Sequence, residues 1–439
     1  MSDLKRPRGR AAAAAAKTAC VVAATLAITA GATLLPPIGH QAPAVTPAGA
    51  EPGAGPPQAG ATGLSTTVRG LRDRLQRLPK DHQAWAALGA AHVQQARITA
   101  DPSYYVKAEQ ALDRAAALAP RDAAVLAARA SLAAGRHEFA AARRLARQAI
   151  DANPYGATAY GVLADAATQL GEHAEATRAV RRMTELKPGV ASFTRASYDA
   201  ELRGDVREAE ELLKAALADA FTPEDIAYCR FYLGELALRA GELERAGHMY
   251  DEALRAYPAF VPALAGRARA AALAGRLESA AQGYQDVVAR LPLAQYIVEY
   301  GEVLARLGRS PAGQWALLSA QRRLMAASGV RDDITWAEFE ADHGSPAAAV
   351  KHARAEYRRH PNLVSADALA WALHRDGRSR EALRYARKAT ARGWRNALFH
   401  HHRAEIERKL GLDAGRSRSR VKEYNPRFDP ALPALARFS

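Results

Sequence analysis

Small and apolar residues recur along most of this chain in one pattern, which repeats about every 34 residues. An apolar or aromatic residue lies eleven positions before a central glycine, and a small residue lies seven before it. An alanine usually follows five positions later, and a proline often follows seventeen later. The third unit shows this pattern with Tyr160, Ala164, Gly171, Ala176 and Pro188. Small residues at helical spacings predict closely packed helices, and the fixed period predicts a stack of similar units.

The central glycines follow one another at gaps of 33 to 37 residues. They are Gly135, Gly171, Gly204, Gly241, Gly275, Gly308, Gly344, Gly377 and Gly411. We expect each to take a left-handed turn between two helices, where glycine is favoured, and the closing proline to end the second helix. The pattern therefore predicts an all-α fold, an α-solenoid of about ten stacked helix-turn-helix units over residues 81–426.

Four units depart from the pattern. The first has seven extra residues, 98–104, in which Asp101 and Pro102 predict the start of a helix. The second has two extra residues before Pro154. The seventh has Gly313 where alanine is expected and lacks the closing proline. The tenth is short after Gly411. Because terminal repeats face water, we expect its second helix, at 414–421, to be a frayed cap.

The pattern resembles the tetratricopeptide repeat (TPR). Units of that family carry a Trp, a Leu-Gly pair and a central Gly, followed by Ala, an aromatic residue, Ala and Pro. Trp85, Leu88 and Gly89 match the first part of this signature in the first unit. The fifth unit matches the second part of this signature, from Gly241 to Pro258. The resemblance implies a right-handed superhelix whose concave groove binds a protein or peptide, with no enzymatic activity.

The resemblance also implies which side chains face that groove. In TPR proteins these positions lie ten, six and three residues before the central glycine. The predicted partner-binding groove residues are Tyr198, Phe231, Glu235, Arg269, Glu302, Trp371 and His374. The alternative interpretation is that the aromatic members, Tyr198, Phe231 and Trp371, fill the space between helices. Tyr250 and Tyr284 occupy packing positions and are expected in the core.

The first 35 residues predict export. Five basic residues precede an apolar run from Thr18 to Leu35, an order that directs the following chain across a membrane. The run of 18 residues is at the lower limit for a spanning helix. We therefore expect an uncleaved transmembrane anchor with the solenoid outside the cytoplasm. The alternative is a signal peptide cleaved near Ala30-Gly31-Ala32, followed by secretion.

Three further segments flank the repeats. Residues 36–63 are rich in Pro, Gly and Ala and are expected to form an extended linker. Residues 64–80 are predicted to form a capping helix with a stripe of Leu71, Leu75 and Leu78. Residues 427–439 are expected to form a C-terminal tail.

Charge is concentrated at the C-terminal end. The chain has a net charge of +15, and residues 351–439 hold 21 basic and nine acidic residues. This end is expected either to be an ordinary solvated surface or to contact an acidic partner or an anionic lipid or polymer. Nucleic acid is not expected as a partner, because the sequence predicts export.

Residues able to perform chemistry are sparse. Cys20 lies in the apolar run and Cys229 on a repeat helix, so no disulfide is expected. Consecutive helical residues diverge by about 100°, so the run from His400 to His402 predicts no metal site. Phosphate loops and the common hydrolase and metalloprotease motifs are missing. The sequence therefore predicts a binding scaffold without catalytic residues or a cofactor. The alternative is an accessory subunit that acts through its basic C-terminal end.

Overall fold

The computed structural model describes residues 61–437, and every regular element in that range is an α-helix. The leader and apolar run at 1–35, including Cys20, lie outside the described residues, as does most of the predicted linker at 36–63. Within residues 61–437, no helix combines the length and the hydropathy needed to cross a membrane.

The helices are numbered in chain order. They are α1 (Ala61–Arg77), α2 (His82–Thr99), α3 (Ser103–Leu118), α4 (Ala123–Gly135), α5 (Phe139–Ala152), α6 (Ala157–Gln169), α7 (His173–Leu186), α8 (Val190–Arg203), α9 (Val206–Ala218), α10 (Pro223–Arg239), α11 (Leu243–Ala256), α12 (Val261–Leu273), α13 (Leu277–Arg290), α14 (Ala294–Arg306), α15 (Ala312–Ala327), α16 (Asp333–His343), α17 (Pro346–Arg359), α18 (Leu363–Arg375), α19 (Ser379–Ala389), α20 (Ala397–Lys409), α21 (Gly415–Tyr424) and α22 (Pro433–Ala436).

Helices α2 to α21 form ten consecutive pairs, and each pair packs on the next. The first helices of successive pairs also contact one another, as α2 does with α4 and α16 with α18. We call these first helices, α2, α4 and so on to α20, the inner helices, and their partners the outer helices. The predicted all-α solenoid of about ten helix pairs is confirmed.

The small and apolar positions of the pattern form the contacts between helices. In the third pair, Leu163, Ala164 and Ala176 are buried, whereas Arg178 is exposed. Tyr250 is fully buried, as predicted for a packing position. Its ring lies so close to Gly234 and Gly266 that an added Cβ on either would come within 2.6 Å of it. Small residues on the inner helices thus make room for the aromatic rings of the outer helices.

Most of the central glycines adopt the predicted left-handed turn. Those at 171, 204, 241, 275, 308, 377 and 411 have φ between 69° and 87°. The prediction is wrong at two positions. Gly135 ends α4, and His137 takes the left-handed conformation instead. Gly344 has a φ of −130°, because the turn after α16 is closed by Ser345 as the N-cap of α17.

The superhelix is wound so tightly that its turns contact each other. The His137 ring approaches the carbonyl oxygen of Arg331, at 3.3 Å, across 194 residues. Asn362 Nδ2 donates to the carbonyl oxygen of Gln169, at 2.9 Å, across 193 residues. Trp394 Nε1 donates to Glu201 Oε1, at 3.1 Å, also across 193 residues. The second, third and fourth helix pairs therefore contact the loops that follow the seventh, eighth and ninth pairs.

The N-terminal end is capped by α1. Leu64, Val68 and Leu75 are buried against α2 and the first outer helix. Leu78, predicted to belong to the same stripe, lies beyond the end of α1 and is 55% exposed. The helix after the first-unit insertion begins one residue later than predicted, at Ser103, whose backbone N–H is bound by the Asp101 side chain.

The C-terminal end is not the frayed cap that the sequence predicts. Helix α21 is regular and packs on α20. Ser417 Oγ donates to Glu407 Oε2 at 2.7 Å, which fixes the first turn of α21. Asn425 is buried beside Gly241, a contact with the next superhelical turn. The chain then returns across the inner helices.

Candidate functional site

All seven predicted groove residues lie on inner helices. Tyr198 is on α8, Phe231 and Glu235 are on α10, and Arg269 and Glu302 are on α12 and α14. Trp371 and His374 are on α18. Phe231, Glu235, Arg269 and Glu302 are at most 5% exposed, whereas the other three are half-buried. Four of the seven predicted residues are thus buried, and only the other three reach the surface of the groove. The role of this surface in partner binding stays a prediction.

Glu235 and Arg269 belong to a buried chain of charges between inner helices. Arg269 bonds Glu235 at 3.0 Å and Glu299 at 2.9 Å. The hydroxyl groups of Tyr250 and Tyr284 each donate to one of these two carboxylates, at 2.7 Å. Burial opposes the charge on Arg269, but the carboxylates of Glu299 and Glu235 hold its pKa well above the usual value. This guanidinium is committed to holding three repeats together.

Two predicted aromatic residues serve packing. The Phe231 ring lies 5.1 Å from the ring of Tyr232 and 5.9 Å from that of Tyr250. Tyr198 packs at the contact between superhelical turns, in the apolar cluster that contains Leu202 and Phe399. For these two side chains the structure agrees with the alternative interpretation that they fill space between helices.

Trp371 and His374 form part of an aromatic cluster that faces a pocket. The Trp371 ring stacks on His402 with centroids 4.1 Å apart and on His374 at 5.3 Å. Trp371 Nε1 donates to Asp342 Oδ1 at 2.8 Å, and Asp367 Oδ2 lies 2.8 Å from His402 Nδ1. Among the described residues, no group of three or more His, Cys, Asp or Glu side chains is arranged to hold a metal ion.

The pocket beside this cluster lies between α16, α18 and α20. Trp371, Asp367, His402 and Trp394 line it from the inner helices and the turn before α20, and Arg437 lines it from the C-terminal end of the chain. Burial lowers the pKa of His374 and lowers that of His401 to about 4. These two imidazoles are therefore neutral near pH 7. They lie beside the pocket, whose own lining combines aromatic rings with the Asp367 and Glu338 carboxylates and the Arg437 guanidinium.

Sequence reasoning missed that the C-terminal segment, residues 425–437, crosses the groove. Both carboxylate oxygens of Glu302 accept from the backbone N–H of Ala434, at 3.0 and 2.9 Å. Arg437 forms ion pairs with Glu338 at 3.1 Å and with Asp342 at 2.8 Å. The register that selects Glu302 also selects Glu338, six residues before Gly344. Apart from a few apolar residues, nothing in the sequence predicts that the C-terminal segment folds onto these carboxylates.

The comparisons with known proteins agree with the fold. The tetratricopeptide repeat family matches residues 127–191, 196–259 and 233–294. No curated protein sequence matches the chain. The family match indicates no enzyme family.

Several solved structures are similar in fold. A structure of the human IFIT1 dimer with PPP-AAAA shares 18% identity and a TM-score of 0.45, over 74% of this chain and 78% of that one. A thermophilic TPR protein of Thermus thermophilus shares 24% identity and a TM-score of 0.38, over 44% and 97%. PilW, a widely conserved type IV pilus biogenesis factor, shares 21% identity and a TM-score of 0.38, over 45% and 91%.

These likenesses concern the fold alone. The residues that match the family run from α4 into α14, and the helix pairs before and after them continue the same stack. The central part of this α-solenoid is therefore built of tetratricopeptide repeats.

Proposed function

We propose that this protein is a non-enzymatic scaffold that binds a protein or peptide segment in its concave groove, outside the cytoplasm. The observation that carries the proposal is the C-terminal segment, which lies on the inner helices as a peptide ligand would. It contributes a backbone N–H to Glu302, apolar side chains to a buried seat and a cation to Glu338. Stacked helical repeats use extended concave surfaces in this way.

The extracytoplasmic location rests on the sequence. The basic leader and the apolar run at 18–35 support export of the repeats, with an anchor in the membrane. Cleavage of this segment would instead release a secreted scaffold with the same groove.

The second candidate function uses the basic C-terminal end. Arg416 and Arg418 are exposed on α21, and Arg420 is paired with Glu423 on the same helix. Such a surface is suited to an accessory subunit that contacts an acidic protein or an anionic lipid or polymer. Salt separates the two candidates, because it screens contacts between exposed charges and leaves apolar contacts in place.

The test is affinity capture with the full-length protein, from cell-envelope and cytosolic fractions separately. We expect the Trp371→Ala variant to lose at least about tenfold in partner capture, since buried aromatic anchors carry a large share of interface energy. Trp85→Ala is the matched control, because Trp85 is also a half-buried tryptophan on an inner helix but does not line the pocket. Circular dichroism checks that both variants remain helical.

Three outcomes would contradict the proposal. Equal capture by the Trp371→Ala variant would remove the groove as the binding surface. Loss of capture in an Arg416→Glu/Arg418→Glu/Arg420→Glu variant, together with loss in high salt, would favour the basic end. A partner present only in the cytosolic fraction would contradict the proposed location.

A further inference from the structure

The carboxylates that hold the end of the chain form a distinct cluster. Glu302 on α14 and Glu338 and Asp342 on α16 approach the C-terminal segment from two inner helices. We call these three residues the carboxylate cluster. Glu338 and Asp342 are one helical turn apart, so their side chains lie on the same face of α16. Together they bind the Nε and Nη2 groups of Arg437.

This geometry favours arginine over lysine. A guanidinium presents several N–H groups in a planar fork, which suits two carboxylates at once, whereas an ammonium is a point charge. Arg437 is buried between the two carboxylates, with its side chain 11% exposed. The Trp371 indole also donates to Asp342, which fixes that carboxylate toward the site.

An apolar seat lies beside the carboxylate cluster. Leu432 and Leu435 are at most 2% exposed. They share one apolar cluster with Tyr284 of α13 and Val303 of α14. The two leucines are three residues apart and Arg437 follows two residues later, so one short helical turn fills both the seat and the charged site.

The carboxylate cluster needs a basic occupant. His343 lies 2.8 Å from Glu302, but Glu338 and Asp342 pair with Arg437. Burial raises the pKa of both Glu302 and Glu338, and the Arg437 guanidinium opposes this rise because it favours their charged forms. Buried carboxylates without a cation or N–H donors are costly. A ligand that replaced the C-terminal segment would therefore have to supply both a cation and an N–H donor.

The C-terminal segment is buried at two places with a partly exposed stretch between them. Asn425 is buried beside Gly241, the Phe428 ring lies 5.3 Å from the His401 ring of α20, and full burial resumes at Leu432. Pro426, Arg427 and Pro430 are exposed. Release of the last turn therefore needs to break only the contacts made from Leu432 onward.

We infer that the carboxylate cluster and its apolar seat form a binding site for an arginine-bearing helical turn, occupied at rest by the chain's own C-terminal segment. The partner is a segment of another protein with two apolar residues three positions apart and an arginine two positions later. It gains access by displacing residues 432–437. This inference rests on the proposed function and adds the class of ligand and its regulation. A tethered occupant acts at a high effective concentration, so the site is closed to weak ligands.

The experiment uses the full chain and a labelled, amidated peptide with the sequence of residues 429–437. In the Leu435→Asp variant the C-terminal segment should leave its apolar seat. We expect this variant to bind the peptide at least about tenfold more tightly than the wild type does. A second variant that ends at Ala431, and so lacks both leucines and Arg437, should behave in the same way. A peptide with lysine in place of the arginine should bind more weakly, and one with glutamate should not bind.

The site is checked by a matched pair of changes in the Leu435→Asp chain. Glu338→Gln with Asp342→Asn should abolish peptide binding, whereas Glu405→Gln should leave it unchanged. Glu405 is a carboxylate on inner helix α20 that pairs with Arg408 instead. Circular dichroism melting confirms that each variant is folded.

Several results would overturn the inference. These are equal binding to wild type and to both tail variants, no binding to either tail variant, or equal binding of the glutamate peptide. Concentration-dependent dimers that the tail variants lose would show a second copy as the occupant, and would also overturn it. Partner capture that depends on Trp371 but is unchanged by Leu435→Asp would contradict this inference alone. Peptide binding without any captured partner would contradict only the proposed function.

Discussion

At the scale of single residues, the central glycines lie in two different environments. Those in the third to fifth repeats contact the next superhelical turn. A Cβ added at Gly204 would lie 2.4 Å from the carbonyl oxygen of Gly393, and one at Gly171 would lie 2.6 Å from that of Pro361. Gly275 and Gly308 have open space at the same position. Both groups have left-handed φ angles, so they differ in their surroundings and not in backbone conformation.

This difference predicts unequal costs for one substitution. Gly275→Ala should destabilise the protein by about 1 to 2 kcal/mol, the cost of a left-handed alanine. Gly204→Ala carries the same cost and also forces two superhelical turns apart, which adds about 1 to 3 kcal/mol. Urea unfolding of the two variants measures the difference. Equal midpoints would show that the turns do not touch at Gly204 in solution.

The sequence predicts that these glycines form turns, but not the second reason for them. The left-handed requirement is local and follows from the repeat pattern. The contact with Gly393 depends on how far the superhelix rotates per repeat, which is a sum of small angles between helix pairs. The same limit applies to Arg269 and Glu302. Their register predicts an inner-helix position, but the burial of Arg269 depends on the neighbouring inner helices and that of Glu302 on the C-terminal segment that crosses the groove.

At the scale of helices, α16 begins at a half-buried acidic cap, Asp332. The Asp332 side chain accepts from the backbone N–H of Thr335 at 3.3 Å. Burial raises the pKa of Asp332 to about 7, and the carboxylates of Glu356 and Asp333 act in the same direction. The folded state therefore keeps this proton at pH values where the unfolded state, with a pKa of 3.8, has released it. This group's contribution to the free energy of unfolding is largest below about pH 4 and falls as the pH rises to about 7.

Asp332→Asn should remove this dependence while it keeps the cap, since asparagine is an equally good N-cap residue. We expect the melting temperature of the variant to exceed that of the wild type at pH 8 and to match it near pH 4. Asp81→Asn, at the cap of α2, is the control: the hydrogen bond from the backbone N–H of Ala84 lowers the pKa of Asp81, so this variant should gain no stability over the wild type as the pH rises. A difference for Asp332→Asn that is the same at both pH values would contradict the assignment.

The tenth helix pair shows why element predictions fail at an end of the stack. The sequence of α21 is polar, and a terminal repeat is expected to face water. In the structure the next superhelical turn supplies the missing neighbour, because Asn425 packs beside Gly241. A local pattern carries no information about a contact that joins repeats so far apart in the chain.

At the scale of the whole molecule, the contacts between turns change how stability is distributed. An open solenoid is stabilised only by neighbouring repeats. Here the third helix pair also contacts the turn after the eighth, through Gln169 and Asn362. Units that are far apart in sequence should therefore unfold together, as one cooperative region.

Asn362→Asp tests this coupling, because it leaves the helix cap in place and removes the cross-turn donor. Asn362 Oδ1 caps α18 by accepting from Ser365 N at 2.9 Å, and Asn362 Nδ2 donates to Gln169 at 2.9 Å. Loss of the second bond should cost about 1 kcal/mol. Hydrogen exchange should then rise at the end of α6 as well as in α18. Asn153→Asp, at an exposed position, is the control. Faster exchange confined to α18 would mean that the turns are not coupled and that the protein behaves as an open stack.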